Sequence, residues 1–123
     1  MDAYTLDDAG LLQFWRAGCG PADQSFLDGG FAPFLVPSLR ESVRHGQRGW
    51  ARDNVIRMPK WSFELTDVTV PVFVWHGQQD APDADIWVSQ QIPTATMRLV
   101  ADRGHFVLFQ NWHQVLDDLL TVT

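Results

Sequence analysis

Two residues with complementary chemistry, Asp80 and His105, each follow an apolar run that is typical of a β-strand. The first run, VPVFVW at residues 70–75, leads through HGQQ to the acid, and the second, MRLVA at residues 97–101, leads through DRG to the histidine. A carboxylate that accepts a hydrogen bond from an imidazole fixes the tautomer of the ring and stabilises the imidazolium that forms when the ring takes a proton. The pair therefore indicates the acid and the base of a site for nucleophilic catalysis.

The segment between the two runs predicts a single helix. Pro82 suits its first turn, and the pattern continues to Gln91 before a second strand over residues 95–101. A strand–helix–strand connection makes the two strands parallel, so their carboxyl ends lie at one edge of the sheet, where open α/β proteins bind ligands. We therefore expect Asp80 and His105, 25 residues apart in the sequence, to lie within hydrogen-bond reach.

Each residue of the pair also has a structural interpretation. Asp80 could cap the following helix, because Asp is a preferred N-cap residue. His105 could be a structural histidine that is buried beside Phe106. The flanking Gly77 and Gly104 favour the catalytic interpretation, since glycine permits tight turns that present a side chain at the end of a strand.

The first half of the chain predicts helices and no strand. Thr5 and Asp8 have the spacing of a capping box at the start of a first helix. Pro37 suits the first turn of a second helix that ends near Gly46, and a third short helix is predicted over residues 49–57.

The complete pattern predicts an α/β fold with a helical segment over residues 1–60 and a mixed segment over residues 61–123. Residues 70–120 have the order β-α-β-α and end in an amphipathic helix over residues 108–120. Two strands are too few for a stable parallel sheet with helices on both faces. We therefore expect that another chain supplies strands or that these residues are the C-terminal part of a larger protein. An unpaired sheet edge would also permit self-association.

The composition argues against several classes of partner and site. The net charge of −6 and nine scattered basic residues argue against nucleic acid and anionic membranes as partners. No run reaches the roughly 18 apolar residues of a membrane span, and the acidic N-terminus lacks the layout of a signal peptide. The single cysteine, Cys19, excludes an internal disulfide. We expect a cytoplasmic protein.

The segments around the pair resemble those of a known enzyme family. An apolar strand followed by His-Gly-x-x-Asp, here HGQQD at residues 76–80, resembles the penultimate-strand motif of α/β-hydrolases. Ile-Pro at 92–93 before a strand, followed by GHF at 104–106, resembles the histidine segment of that family. The chain order in the family is nucleophile, acid, histidine. The resemblance implies that Asp80 is the triad acid and His105 the triad base.

The resemblance extends beyond these two motifs. WARDN at residues 50–54 and WSFEL at 61–65 are similar to the lid exit and to the approach to the penultimate strand. The likeness covers residues 48–120 and, more loosely, residues 1–47 as a lid. It implies a partial α/β-hydrolase fold, in which a helical lid segment is followed by a β-α-β-α core unit, and hydrolysis of an ester, amide or epoxide by a serine nucleophile. The aromatic residues of the lid favour a small-molecule substrate with an apolar acyl group or a ring.

The nucleophile that the resemblance requires has no counterpart in this sequence. No serine lies in a Gly-x-Ser-x-Gly elbow, and no oxyanion loop precedes the lid. Cys19 lies between two glycines, but it follows a helix, and a buried or helix-end cysteine is the simpler interpretation. Four residues could be metal ligands: His76, Asp80, His105 and His113. No two of them have the spacing of paired ligands on a helix, so no metal and no cofactor is predicted.

The sequence therefore predicts an α/β-hydrolase-like fragment with Asp80 and His105 as its catalytic residues and without independent catalysis by this chain. The alternative is a non-catalytic remnant or binding module that needs a partner chain to complete its sheet. A nucleophile elbow in the adjoining coding sequence would distinguish the two.

Overall fold

The computed structural model describes residues 5–56 and 61–122. In chain order, its helices and strands are α1 (Asp8–Arg16), α2 (Pro21–Phe26), α3 (Ala32–Val43), α4 (Arg48–Ile56), β1 (Val72–Gly77), α5 (Asp83–Gln91), β2 (Ala95–Val100), α6 (Val107–Gln110) and α7 (Trp112–Leu120). A π-helical turn, Leu27–Phe31, joins α2 to α3, and a 3₁₀ turn, Leu65–Asp67, precedes β1. These residues are of mixed α/β class, as predicted. None of their helices is long and apolar enough to cross a membrane.

The described residues divide into two compact units. Those among residues 1–19 and 24–61 form the first unit, and those among residues 20–23 and 62–123 form the second. The stretch 20–23 thus groups with the unit that contains the strands, although its sequence lies among the helices of the first unit.

The first unit is built around a small apolar core to which α1 and α3 contribute. Leu11 of α1 is buried together with Leu39 and Val43 of α3. The last two lie four positions apart, so they fall on the same face of their helix. Arg40 fastens α3 to the start of α1: its Nη1 donates to the carbonyl oxygen of Leu6 and its Nη2 to Oδ1 of Asp8, each at 2.7 Å. Packed against the core are Leu6, Trp15, Leu35 and Trp50.

The start of α1 differs from the predicted capping box. Asp7 is the N-cap residue, and its Oδ1 accepts a hydrogen bond from the Gly10 N–H at 2.8 Å. The Asp8 side chain is instead a partner of Arg40. The prediction based on Thr5 is wrong because Asp7, an equally good capping residue, lies three positions before an N–H that it can bind.

The second predicted helix begins five residues earlier than expected. α3 begins at Ala32, Pro33 lies in its first turn, and Pro37 lies inside it. Pro37 has no N–H to donate to the preceding turn. The helix continues because its next turns bury Leu39 and Val43, and this burial offsets the missing hydrogen bond.

The chain after α3 turns at a glycine, as predicted. Gly46 has a φ of 86°, a left-handed conformation that glycine adopts without steric cost, and its N–H donates to the carbonyl oxygen of Val43 at 2.9 Å. The third predicted helix corresponds to α4, which begins at Arg48 and is described to Ile56. The predicted end at residue 57 lies outside the described residues.

The second unit contains a two-stranded parallel sheet. β1 pairs with β2 in a register that runs from Val72 opposite Ala95 to Gly77 opposite Val100. α5 connects the strands and packs against both of them, and α6 packs against β1. The carboxyl ends of both strands therefore lie at the same edge, as the strand–helix–strand pattern predicts.

The strands are less buried than their apolar sequences predict. Residues 72–76 of β1 are half-buried and Gly77 is buried, while Arg98 and Leu99 of β2 are exposed. In the part of the chain that the structure describes, β1 pairs with β2 alone. A continuous apolar run is typical of a parallel strand covered on both faces, but a sheet of two strands leaves much of each strand uncovered.

The predicted terminal helix over residues 108–120 is divided into α6 and α7. Asn111 separates them, with non-helical torsion angles of φ −117° and ψ 24°. α7 is tied to both strands, because Asp118 accepts hydrogen bonds from the Arg98 guanidinium at 3.0 Å and from Trp75 Nε1 at 3.1 Å. The Arg98 guanidinium, with a smaller contribution from Trp75, holds the pKa of Asp118 below its usual value.

Candidate active site

The structure brings Asp80 and His105 together at the carboxyl edge of the sheet. Beyond β1 the chain turns, and the Asp80 N–H donates to the carbonyl oxygen of Gly77 at 3.0 Å. Beyond β2, a turn in which the Arg103 N–H donates to the carbonyl oxygen of Val100 at 3.4 Å leads to the histidine. His105 Nδ1 lies 3.0 Å from Asp80 Oδ2. The predicted hydrogen-bond contact between these two side chains is confirmed.

Neither structural interpretation of the pair fits this geometry. The His105 side chain is 62% exposed, so it is not a buried structural histidine. Asp80 does not cap α5, because the N-cap position of that helix is Pro82 and no side chain caps it. Oδ1 of Asp80 instead accepts a hydrogen bond from the N–H of Ala81 at 2.9 Å. The carboxylate therefore holds its own loop with one oxygen and the histidine ring with the other.

The surroundings of Asp80 favour its ionised form. Partial burial raises the pKa of Asp80, but the Ala81 N–H, the hydrogen bond from His105 and the nearby His105 and His76 together outweigh burial and hold the pKa below its usual value. An ionised Asp80 accepts a hydrogen bond from Nδ1–H of His105, so Nε2 is the ring nitrogen that exchanges a proton with a reacting group. The pair therefore has the chemistry of an oriented general base.

A third carboxylate, which the sequence pattern does not indicate, holds the backbone of the histidine loop. Asp23, in the first turn of α2, is only 3% exposed. Its Oδ2 accepts a hydrogen bond from the His105 N–H at 3.0 Å, and its Oδ1 accepts one from the Phe106 N–H at 3.1 Å. Asp23 and His105 lie 82 positions apart. No local spacing connects residues so distant, which is why Asp23 was not a predicted site residue.

The two flanking glycines are needed for close packing and not for a special backbone conformation. A Cβ atom at Gly104 would lie 2.3 Å from Asp23 Oδ2, and one at Gly77 would lie 2.3 Å from the carbonyl oxygen of Gly104. The glycines with positive φ in the described residues are Gly30 and Gly46. Both Gly77 and Gly104 begin hydrogen-bonded turns, as predicted, but neither has a positive φ. Their missing side chains let the two loops and Asp23 approach each other.

A second histidine–carboxylate contact lies at the end of β1. Nδ1 of His76 hydrogen-bonds to Asp85 in the first turn of α5, and the His76 side chain is only 13% exposed. Its Nε2 atom is buried and has no hydrogen-bond partner in residues 5–56 and 61–122. Because this ring is enclosed while His105 is exposed, His105 is the better candidate for proton transfer, and His76 joins α5 to β1.

The remaining candidate residues have other surroundings. Cys19 is half-buried, and its Sγ donates to the carbonyl oxygen of Trp15 at 3.5 Å, a contact that fits a cysteine at the end of a helix. His113 is exposed on α7. In the ranges that the structure describes, no three His, Cys, Asp or Glu side chains are grouped so as to hold a metal ion. Asp80 and His105 are therefore the candidate catalytic residues of the described chain.

Comparison with family models, with curated proteins and with solved structures found no significant match for this chain. The functional interpretation therefore depends on the contacts described above and on the two motifs that contain the pair. The resemblance of those motifs to α/β-hydrolases stays a prediction from the sequence.

Proposed function

We propose that Asp80 and His105 are the acid and the base of an α/β-hydrolase-type active site, with the nucleophile contributed from outside this sequence. The observation that carries the proposal is the 3.0 Å contact between His105 Nδ1 and Asp80 Oδ2 at the carboxyl edge of two parallel strands. The α/β-hydrolase-like motifs at 76–80 and 104–106 support it because they contain these same two residues. In this proposal β1 and β2 are the last two strands of a partial α/β-hydrolase core, and residues 1–60 are the lid segment.

In the proposed reaction, His105 Nε2 removes the hydroxyl proton of a serine as its oxygen attacks the carbonyl carbon of an ester or amide. Asp80 stabilises the imidazolium that forms, because its ionised carboxylate holds Nδ1–H. The imidazolium then gives its proton to the departing alcohol or amine. A water molecule, deprotonated by the same nitrogen, attacks the acyl intermediate, and the imidazolium returns its proton to the serine oxygen as the acid departs. The pair serves ester and amide substrates alike, so the choice between them is set by the lid and the nucleophile; an epoxide lies outside this reaction, because a serine would open it to an ether that water does not hydrolyse.

The proposal is tested by labelling the serine that His105 would activate. The chain is tagged in its native host, purified without denaturation and treated with a fluorophosphonate, a reagent that reacts with activated serines. We expect label on the polypeptide that contains the nucleophile, whether this is the tagged polypeptide itself or a co-purified partner. His105→Ala should abolish labelling, and Asp80→Asn should slow it by about 10³–10⁴-fold, because the ring is then no longer held in the required tautomer.

The matched control is His113→Ala, which removes an exposed histidine of α7 and should leave the labelling rate unchanged. Absence of label on every purified polypeptide, or labelling that survives His105→Ala, contradicts the proposed hydrolase.

A second function, binding of a strand-bearing partner, is favoured by the surface beside β1. An apolar groove of about 370 Å³ lies there, and its lining includes Phe73, Trp75, Leu108 and Leu119. Since β1 pairs with β2 alone in the described residues, its outer edge is available for a further strand. Co-purification of a partner that carries no activated serine, and whose binding is unaffected by His105→Ala, would favour this function over hydrolysis.

A further inference from the structure

Residues Gly20–Asp23 form a strap that contacts the loop carrying Asp80, the acid of the proposed pair. The Ala22 N–H donates to Oε1 of Gln79, the residue before Asp80, at 3.3 Å. Gly20 also lies against this loop, since a Cβ atom there would be 3.2 Å from the Gln79 carbonyl oxygen. These contacts explain why the strap belongs to the same compact unit as the two strands.

The strap also contacts the loop that carries the histidine, through Asp23. The N–H of His105 belongs to the peptide plane before the His105 Cα atom, and the N–H of Phe106 belongs to the plane after it. Both N–H groups donate to the single Asp23 carboxylate, at 3.0 Å and 3.1 Å. One carboxylate therefore holds both peptide planes that flank the His105 Cα atom, and this restrains φ and ψ of His105 together.

We propose that Asp23 is a positioning residue that directs the His105 side chain toward Asp80. Fixing both flanking planes fixes the direction of the His105 Cα–Cβ bond, and with it the region of space that the ring can reach. The inference rests on the proposed function, because it concerns the orientation of the proposed base. Asp23 touches no reacting group; it acts through the backbone of the histidine.

The burial of Asp23 makes this restraint stiff. The residue is only 3% exposed, so water has little access to compete for its two hydrogen bonds. An asparagine at this position would accept one N–H through its oxygen, while its NH₂ group would face the second N–H. Asp23→Asn therefore keeps one of the two bonds and relaxes one of the two peptide planes.

The rival interpretation is that Asp23 only anchors the fold. Asp118→Asn is the matched control, because Asp118 is likewise a carboxylate of the second unit that accepts several hydrogen bonds, here from Arg98 and Trp75. Both substitutions weaken the unit, but on this inference only the change at Asp23 alters the contact between His105 and Asp80.

The test measures the tautomer of His105 in the 123-residue chain by ¹⁵N NMR of the imidazole at alkaline pH. Wild type should show mainly the Nδ1–H tautomer, because Asp80 accepts that proton. Asp80→Asn should lower the ratio of Nδ1–H to Nε2–H tautomer by about tenfold, and Asp23→Asn should lower it by about threefold. Asp118→Asn should leave the ratio at the wild-type value.

The outcomes separate the inference from the proposed function. A ratio that changes in Asp80→Asn but not in folded Asp23→Asn overturns the inference and leaves the proposed function intact. A ratio that does not change even in Asp80→Asn overturns the proposed pair and the inference with it. If Asp23→Asn does not fold, Asp23→Glu replaces it, since it keeps the charge but displaces the histidine loop by one methylene. If neither variant folds, Asp23 is an anchor of the fold and the inference is overturned.

Discussion

His105 is oriented by two carboxylates that act on different parts of the residue. Asp80, which is 34% exposed, accepts a hydrogen bond from the ring, whereas Asp23, which is 3% exposed, binds the backbone on both sides of the Cα atom. The half-buried Asp80 holds the proton on Nδ1 and leaves Nε2 to exchange a proton with the reacting group, whereas the buried Asp23 holds only backbone atoms. The ring itself remains open to solvent, as a base that meets a substrate must be.

The lowered pKa of Asp80 predicts a specific contribution to acid stability. Its pKa in the folded chain lies below the usual value of 3.8, so the ionised form stabilises the fold above that value, and this contribution is lost as the pH falls through the folded pKa. The free energy of unfolding, measured with urea, should therefore fall less between about pH 6 and about pH 3 in Asp80→Asn than in wild type. The pKa values of Asp28 and Asp118 are also lowered, but both residues are present in wild type and in the variant, so their contributions to the difference in unfolding free energy cancel. Equal losses in the two proteins would contradict the prediction.

The isolated chain should hydrolyse a short p-nitrophenyl ester no faster than free imidazole. A triad acts as a unit, and what remains after loss of its nucleophile comes from the oxyanion hole and substrate binding. The sequence contains neither a nucleophile elbow nor an oxyanion loop. A general base contributes about 10²-fold or more only when the substrate is positioned against it. Turnover well above background that disappears in His105→Ala would be the contrary result, and a further loss in Cys19→Ala would identify Cys19 as the nucleophile.

At the scale of elements, the site is formed by two loops that follow parallel strands and pass each other closely. Gly77 ends β1 and Gly104 precedes α6, and neither position has space for a side chain. The loops can approach in this way because β1 and β2 are adjacent and parallel, which places both turns at one edge of the sheet.

Gly104→Ala should destabilise the chain by about 1–3 kcal/mol, because the added methyl group would overlap the Asp23 carboxylate. Gly49→Ala is the matched control: a Cβ atom there meets nothing within 4 Å, and the residue lies in α4. The control should be neutral or more stable by up to about 1 kcal/mol, since alanine favours helix more than glycine does. Denaturant midpoints measure both effects, and equal midpoints for the two variants would show that Asp23 moves aside without cost.

At the scale of the whole molecule, the second unit exposes several large apolar side chains. Its strands are half-buried, and several large apolar side chains are more than half exposed: Val70, Trp87, Phe109, Trp112, Leu119 and Leu120. Large exposed apolar surfaces mark interaction sites or promote aggregation. The outer edge of β1 adds backbone groups that can pair with another strand.

We therefore expect the chain to self-associate at micromolar concentration, and Val70→Lys to weaken this association. Val70 lies just before β1 and is 64% exposed, and a lysine beside an edge strand opposes pairing with a second chain. Val55→Lys is the control, because Val55 is also 64% exposed but lies in α4. Sedimentation velocity should show a dissociation constant about tenfold higher for Val70→Lys, and no change for Val55→Lys. A monomeric wild type with a cooperative thermal transition would contradict this expectation.

The sequence by itself determined the strand–helix–strand unit and the meeting of Asp80 with His105. Apolar runs and proline positions are local signals, and the regular parallel crossover brings the carboxyl ends of successive strands to one edge of a sheet. Two acid–base residues placed just after those ends therefore had to come close, whatever the remainder of the chain did. The strand β1 and the helix α5 begin within two residues of their predicted positions for the same reason.

Only the tertiary structure decided how the histidine loop is held and where several helices begin and end. Asp23 reaches the backbone of His105 across 82 positions, a contact that depends on packing and leaves no periodic trace in the sequence. Pro37 lies inside α3, because burial of the following turns outweighs a lost hydrogen bond. Asn111 interrupts an apolar repeat whose spacing predicts one continuous helix. Local patterns report what a segment prefers, whereas these features depend on which distant atoms the folded chain brings against it.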